Sequence, residues 1–163
     1  MKIKKTSVLV FVFLTGLLVF GGLFVLRDRI TSISKESAQQ PPTIQINGWP
    51  VEILLARTSE EQMRGLSGRT VLPENQGMLF LYDEPGFYSF WMKDMQFPID
   101  IIWIDENYII IDITKDVLPG SFPQIFQSQK PAQYVLEVNA GFVEKNSVEI
   151  GNILDLSEAL SGY

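Results

Sequence analysis

The sequence predicts a mainly β domain of the α+β type: a small barrel-like or folded-over mixed sheet with one or two short helices, preceded by a single N-terminal transmembrane helix. Three observations predict this. Six to eight short apolar runs, divided by turn-forming residues, fill residues 43–163. One clear helix-start signature stands among them, near residue 58. And the chain carries no charge from Thr6 to Leu26, a run of 21 residues.

That run comes first. As a helix it spans about 30 Å, the hydrocarbon thickness of a bilayer. Lys2, Lys4 and Lys5 precede it, and Arg27, Asp28 and Arg29 close it. A cleaved signal peptide is the competing reading, but its apolar region is shorter, about 7–15 residues, and ends at a small-x-small site. Here Ser32-Ile33-Ser34 is the one candidate for such a site, and without cysteine there is no lipoprotein processing. The reading is therefore a basic tail at 1–5, an anchor at 6–26 and a linker at 27–42 that ends in Pro41-Pro42. The basic residues before the run favour a single-pass protein with its N-terminus in the cytoplasm and residues 43–163 outside. Its first expected partner is the lipid bilayer itself.

The domain elements follow in order. Thr43–Ile46 and Val51–Ala56 flank Asn47-Gly48, a strong hairpin signal. "RTSEEQMRGLSGRT" reads as a short helix, capped by Thr58 with Glu61 three residues on, and limited by Gly65 and Gly68. "GMLFLY" (77–82) is a buried-strand run and "FYSFWM" (87–92) a second, aromatic one. "IDIIWID" and "YIIIDIT" form a hairpin across Glu106-Asn107. On its first arm Ile102 and Ile104 share one face, Ile101 and Trp103 the other, so both faces are expected to be buried. "QYVLEV" (133–138) is a further strand, "AGFVEKN" one helical turn, and "SVEIGNIL" a closing strand.

Charge and absent residues exclude several functions. Residues 43–163 hold 7 Lys and Arg against 17 Asp and Glu, a formal charge of −10. Nucleic acid, which needs a basic surface, is not an expected partner. No histidine or cysteine occurs anywhere in the chain. Thiol catalysis, a histidine base and a His/Cys zinc site are therefore impossible. No phosphate-cradling loop or EF-hand loop is legible, and neither a cofactor nor a metal is expected.

What remains is a polar set beside aromatics: Arg64, Arg69, Lys93, Asp94, Asp100 and Glu137, with Trp91 at the corner "FWMKDMQFPIDIIWID". The candidate binding residues are Arg69, Trp91, Lys93, Asp94, Asp100 and Glu137. Strand alternation puts Glu137 on one face with Val135 and Asn139. A carboxylate in an apolar strand is costly unless paired. Arg69, Lys93, Asp100 and Glu137 are thus expected to meet in one partly buried cluster, with at least one opposite-charge pair within about 4 Å.

The motifs "EQMRGLSGR", "GMLFLY", "FWMKDMQFPIDIIWID" and "VLEVNAG", in this order and spacing, resemble the bacterial and archaeal family called domain of unknown function 192. The resemblance covers roughly residues 43–155. It implies a compact β-rich domain, often exported or membrane-anchored, with no established activity. The family's recurring positions fall here on Glu61, Gly65, Arg69, Gly77, Trp91, Lys93, Asp100 and Glu137, among others. Many relatives carry Asn-Thr where this chain has Asp94-Met95, and a cysteine in the later loop where it has "LPGSFPQIFQSQ". A thiol is thus not central to this member. The functional expectation is a membrane-anchored extracytoplasmic domain that binds a small polar ligand or an envelope component. The alternatives are a hydrolase using Asp94, Asp100 or Glu137, and a structural or assembly factor without a pocket.

Overall fold

Asn47 and Gly48 both take positive φ, 50° and 83°, and so turn strand β1 (Thr43–Ile46) straight back into β2 (Trp49–Ala56). The computed structural model describes residues 41–161. The basic tail, the anchor and nearly all of the linker lie outside the described residues. No helix among the described residues is long and apolar enough to cross a membrane.

After β2 come helix α1 (Ser59–Arg64), β3 (Gln76–Gly86), β4 (Ile99–Ile104), β5 (Ile110–Val117), a 3-10 turn (Pro119–Ser121), β6 (Ala132–Asn139), α2 (Phe142–Lys145) and α3 (Ser157–Leu160). The six strands form one sheet in the order β1-β2-β3-β6-β4-β5. Only β2 and β3 run parallel, and α1 lies in the crossover between them, as a parallel pair requires. The other neighbours are antiparallel. β4 sits between β6 and β5 with all six residues buried, as its two apolar faces foretold.

The sheet separates two cores. On one face Ile102, Ile104, Leu136 and Val138 pack with Val143 of α2 and Ala159 of α3. On the other, Ile101, Trp103 and Val135 pack with Phe80, Phe90 and Leu66. Phe90 stands edge-on to both Phe80 and Trp103, with ring centroids 4.8 and 5.2 Å away.

Three expectations are corrected. The sheet is open, with β1 and β5 as its ends, and is not a barrel. "SVEIGNIL" is no strand. Ser147 and Gly151 have φ of 51° and 96°, which breaks an extended run. The segment and the residues just after it make only isolated bridges, Ile109 to Ile153 and Gln45 to Asp155. "FYSFWM" is a loop as well, held by one bridge between Phe90 and Phe126. Its β propensity loses to packing, because Phe90 and Met92 fill the core while Phe87 and Trp91 face outward.

Candidate functional site

The site starts at a helix cap. Thr58 Oγ1 accepts from the Glu61 amide at 3.2 Å, and Glu61 Oε2 accepts from the Thr58 and Arg57 amides at 2.9 Å. Those bonds hold the Glu61 carboxyl below its usual range. The box fixes where α1 begins. Gln62, one turn on, donates to the Leu81 carbonyl of β3 at 2.7 Å and docks the helix on the sheet.

α1 stops at Gly65, whose φ is 49° and where a Cβ would lie 3.4 Å from Phe80 Cζ. Glycine there lets the chain turn over the Phe80 ring and drop Leu66 into the core. The next residues meet the corner. Ser67 Oγ donates to the Lys93 carbonyl at 2.8 Å, and the Gly68 amide donates to the Asp94 carbonyl at 2.9 Å. Asp94 itself takes positive φ, 56°.

Between the α1 end, β3 and this corner is a half-open cavity of about 170 Å³. Phe80, Tyr82, Phe90, Trp91, Met63 and Met95 supply apolar walls; Ser59, Gln62, Arg64, Ser67 and Ser89 supply polar ones. Tyr82 stacks on Tyr88, with centroids 3.4 Å apart. Glu137 of β6 is the cavity's acidic group.

Glu137 is only 5 % exposed. Its in-register neighbours are Met78 on β3 and Ile101 on β4, both apolar and buried. Its Oε2 has no hydrogen-bond partner among the described residues. Burial alone pushes its carboxyl up to about 8. Burial, then the neighbouring Tyr88 and Glu137, push the Tyr82 phenol up as well. Near neutral pH the Glu137 carboxyl holds its proton, and a positive charge placed against it would draw that proton off.

The sequence-predicted residues part company here. Trp91, 43 % exposed, and Glu137 share the cavity. Arg69, Lys93 and Asp94 are exposed and do not line it. Asp100 lies across the sheet. It faces the core of Ile102 and Ile104, and its carboxylate accepts from the Asp116 amide at 2.9 Å and the Val143 amide at 3.0 Å. The expected cluster of Arg69, Lys93, Asp100 and Glu137 is therefore not formed. Among the described residues no ion pair joins any two of the four; an exposed pair joins Lys145 and Glu74 instead, at 3.4 Å. The reason is the period of two in β strands: Asp100 pairs in register with Val138, one residue past Glu137, and so points the other way. A carboxylate pair made of Asp100 and Glu137 does not exist. Among the described residues no group of three acidic side chains is placed to hold a metal ion.

Sequence reasoning missed Tyr82, Gln62, Ser89 and Met95 as lining residues. Tyr82 was findable, because it lies two residues from Phe80 on the same strand face. Ser89 and Met95 sit in loops that no pattern foretells.

A family model named DUF192, described as an uncharacterised ACR, matches residues 42–156. No curated protein matches the chain. A crystal structure of a protein of unknown function from Novosphingobium aromaticivorans is similar, with a TM-score of 0.65 and 31 % identity over 71 % of this chain and 83 % of that one. A crystal structure of a putative transcription regulator from Sinorhizobium meliloti has a TM-score of 0.64 and 31 % identity, covering 70 % of this chain and 89 % of the other.

Proposed function

We propose a binding function for this chain, which belongs to the DUF192 family: its β domain takes a small polar ligand into the Glu137 cavity, outside a membrane to which residues 6–26 tether it. One observation carries the reading. A carboxyl 5 % exposed, with an oxygen that has no partner among the described residues, lines an aromatic-walled cavity. Such a group weakens the fold unless something outside the chain completes it. Sites that sacrifice stability in this way are characteristic of function.

The cavity, about 170 Å³, is smaller than the roughly 300–1,000 Å³ of drug-sized sites. A compact ligand, or one exposed unit of an envelope component, fits it. Transcription regulation, the role by which the Sinorhizobium meliloti protein is named, does not suit a domain that carries 17 acidic against 7 basic residues. The tether rests on the uncharged 21-residue run, whose burial exceeds what an acidic peripheral domain gains at a membrane surface.

The test is a thermal-shift screen of the full chain in neutral detergent against small polar compounds, run beside Ser89→Trp, which fills the cavity mouth. Compounds that stabilise the wild type and not the variant support the function. A screen in which every stabilising compound acts equally on both overturns it. For the tether, the chain should stay with membranes after a carbonate wash. A soluble mature chain that starts in the linker would replace the anchor by a cleaved signal.

A further inference from the structure

We infer that the ligand is an organic ammonium ion, its charged end seated on Glu137 and its body held by the aromatic walls, which rests on the binding function proposed above. Three features converge on this. The Glu137 carboxyl lines the cavity, and no described residue partners its Oε2; once ionised the group accepts hydrogen bonds and cannot donate them. The rings of Phe80, Tyr82, Phe90 and Trp91 line the same cavity, and an aromatic face attracts a cation. And among the described residues no cation forms an ion pair with the carboxylate.

Each element packed near Glu137 contributes its own neighbours. From β3 the neighbours are Met78, Phe80 and Tyr82; from β4, Ile101. The loop contributes Ser89, Phe90, Trp91 and Met95, none of them charged. α1 contributes Arg64, which is exposed at the rim and makes no ion pair with Glu137 among the described residues. Lys93 and Arg69, the other nearby cations in the sequence, are not lining residues. An anionic ligand would keep the carboxyl protonated and would meet no cation paired with it among the described residues. A neutral one could accept from the protonated carboxyl but would draw no charge attraction from the aromatic rings. A primary or secondary ammonium satisfies both.

The step is a proton exchange. The protonated Glu137 carboxyl and the incoming ammonium become a carboxylate–ammonium pair, and the carboxyl proton leaves to solvent. No other bond changes. Because burial holds that proton up to about pH 8, binding at pH 7 should release close to one proton. For an ammonium that stays protonated across this range, as cyclohexylammonium does, affinity should then rise about tenfold per pH unit between pH 6 and 7, and level off above pH 8; for glucosamine, whose own amine loses its proton near there, it should pass through a maximum. A neutral ligand accepting from the protonated carboxyl has the opposite dependence: it exchanges no proton at pH 7 and weakens above pH 8.

The experiment is titration calorimetry on the full chain in neutral detergent, in phosphate and in MOPS, whose ionisation enthalpies differ and neither of which is a primary or secondary ammonium. The probes are two matched pairs, cyclohexylammonium with cyclohexanol and glucosamine with glucose. At least one ammonium member should bind tenfold or more tightly than its neutral match, release close to one proton at pH 7, and lose both properties in Glu137→Gln. A neutral member that binds as well as its ammonium match, or ammonium binding without proton release, overturns the inference. The two readings fail differently. Neutral or anionic compounds that Ser89→Trp blocks keep the cavity as a binding site and remove the ammonium; no blocked compound of any charge removes both.

Discussion

Asp100 and Glu137 are the same chemical group, one residue out of register on adjacent central strands, and both are nearly inaccessible to water at 1 % and 5 % exposure. Their surroundings differ completely. Asp100 finds two backbone amides, one from the irregular end of β5 and one from the start of α2. It ties an edge strand and a helix to the sheet centre. Glu137 finds Met78, Ile101 and the cavity. A buried carboxylate that serves the fold is one whose acceptors are filled from within. One left without partners by its own chain costs stability, and it is this cost that the proposed ligand would offset.

Asp100→Ala should have the largest effect. It removes two charge-assisted hydrogen bonds, each worth about 1.5–3 kcal/mol, and leaves the Val143 amide buried without a partner. A loss of about 3–5 kcal/mol in chemical denaturation is expected. A loss below about 1 kcal/mol would mean that Asp100 is not the brace its contacts describe.

Glu137→Gln should move stability the other way. The folded carboxyl titrates at about 8 against an ordinary value of 4.5. Between those values the unfolded chain has released its proton and the folded chain has kept it. Stability therefore falls as pH rises through that window, by about 1.4 kcal/mol per unit. The wild type should lose about 3 kcal/mol between pH 4.5 and pH 7 that Glu137→Gln does not lose. The measurement is the difference between the two proteins across pH 4–9. Equal slopes would show that the chain satisfies this carboxylate after all.

The sheet around the pair explains how much of this was legible. Hydrophobic alternation is read directly from sequence, so the hairpin at Asn47-Gly48, the capped helix at Thr58 and the doubly buried strand Ile99–Ile104 were all visible in the residues alone. Glu137 was visible as an anomaly, a carboxylate in an apolar strand. Its neighbours were not. Which face of β6 meets which face of β4 depends on a register set by long-range pairing, and a one-residue offset turns a presumed partner into a residue on the far side. The charges of Arg69 and Lys93 suggested pairs because the sequence cannot show that both stay in water. The loop Phe87–Met92 misled for a different reason: its aromatics are there for packing, and packing overrode strand propensity.

Gly77→Ala probes the strand pair that carries Glu137. A Cβ at Gly77 would stand 2.9 Å from the Glu137 carbonyl and 3.1 Å from Leu136 Cδ1 and Val138 Cγ1. The backbone of β6 cannot yield without moving the whole central pair. A loss of about 2 kcal/mol is expected from this overpacking, less than for Asp100→Ala. The same change should alter the cavity, because it shifts the residue at its acidic end. If thermal stability falls while the pH dependence of the wild type survives unchanged, the β3–β6 contact does not set the environment of Glu137.

The smallest effects should come from the corner itself. Its charges are exposed, and its contribution to the site runs through main-chain carbonyls: Lys93 accepts from Ser67 Oγ and Asp94 from the Gly68 amide. Lys93→Ala should thus change stability by less than about 0.5 kcal/mol, as for most surface substitutions. Ser67→Ala removes the hydroxyl that holds the corner to the loop after α1, and should cost about 0.5–1.5 kcal/mol. The order of these two is the informative result, because the side chains predict the reverse: a lysine in an acidic domain promises more than one hydroxyl. If Lys93→Ala costs more than Ser67→Ala, the Lys93 ammonium has a partner that the geometry does not give it. In that case Lys93, and not a ligand, becomes the first candidate to neutralise Glu137.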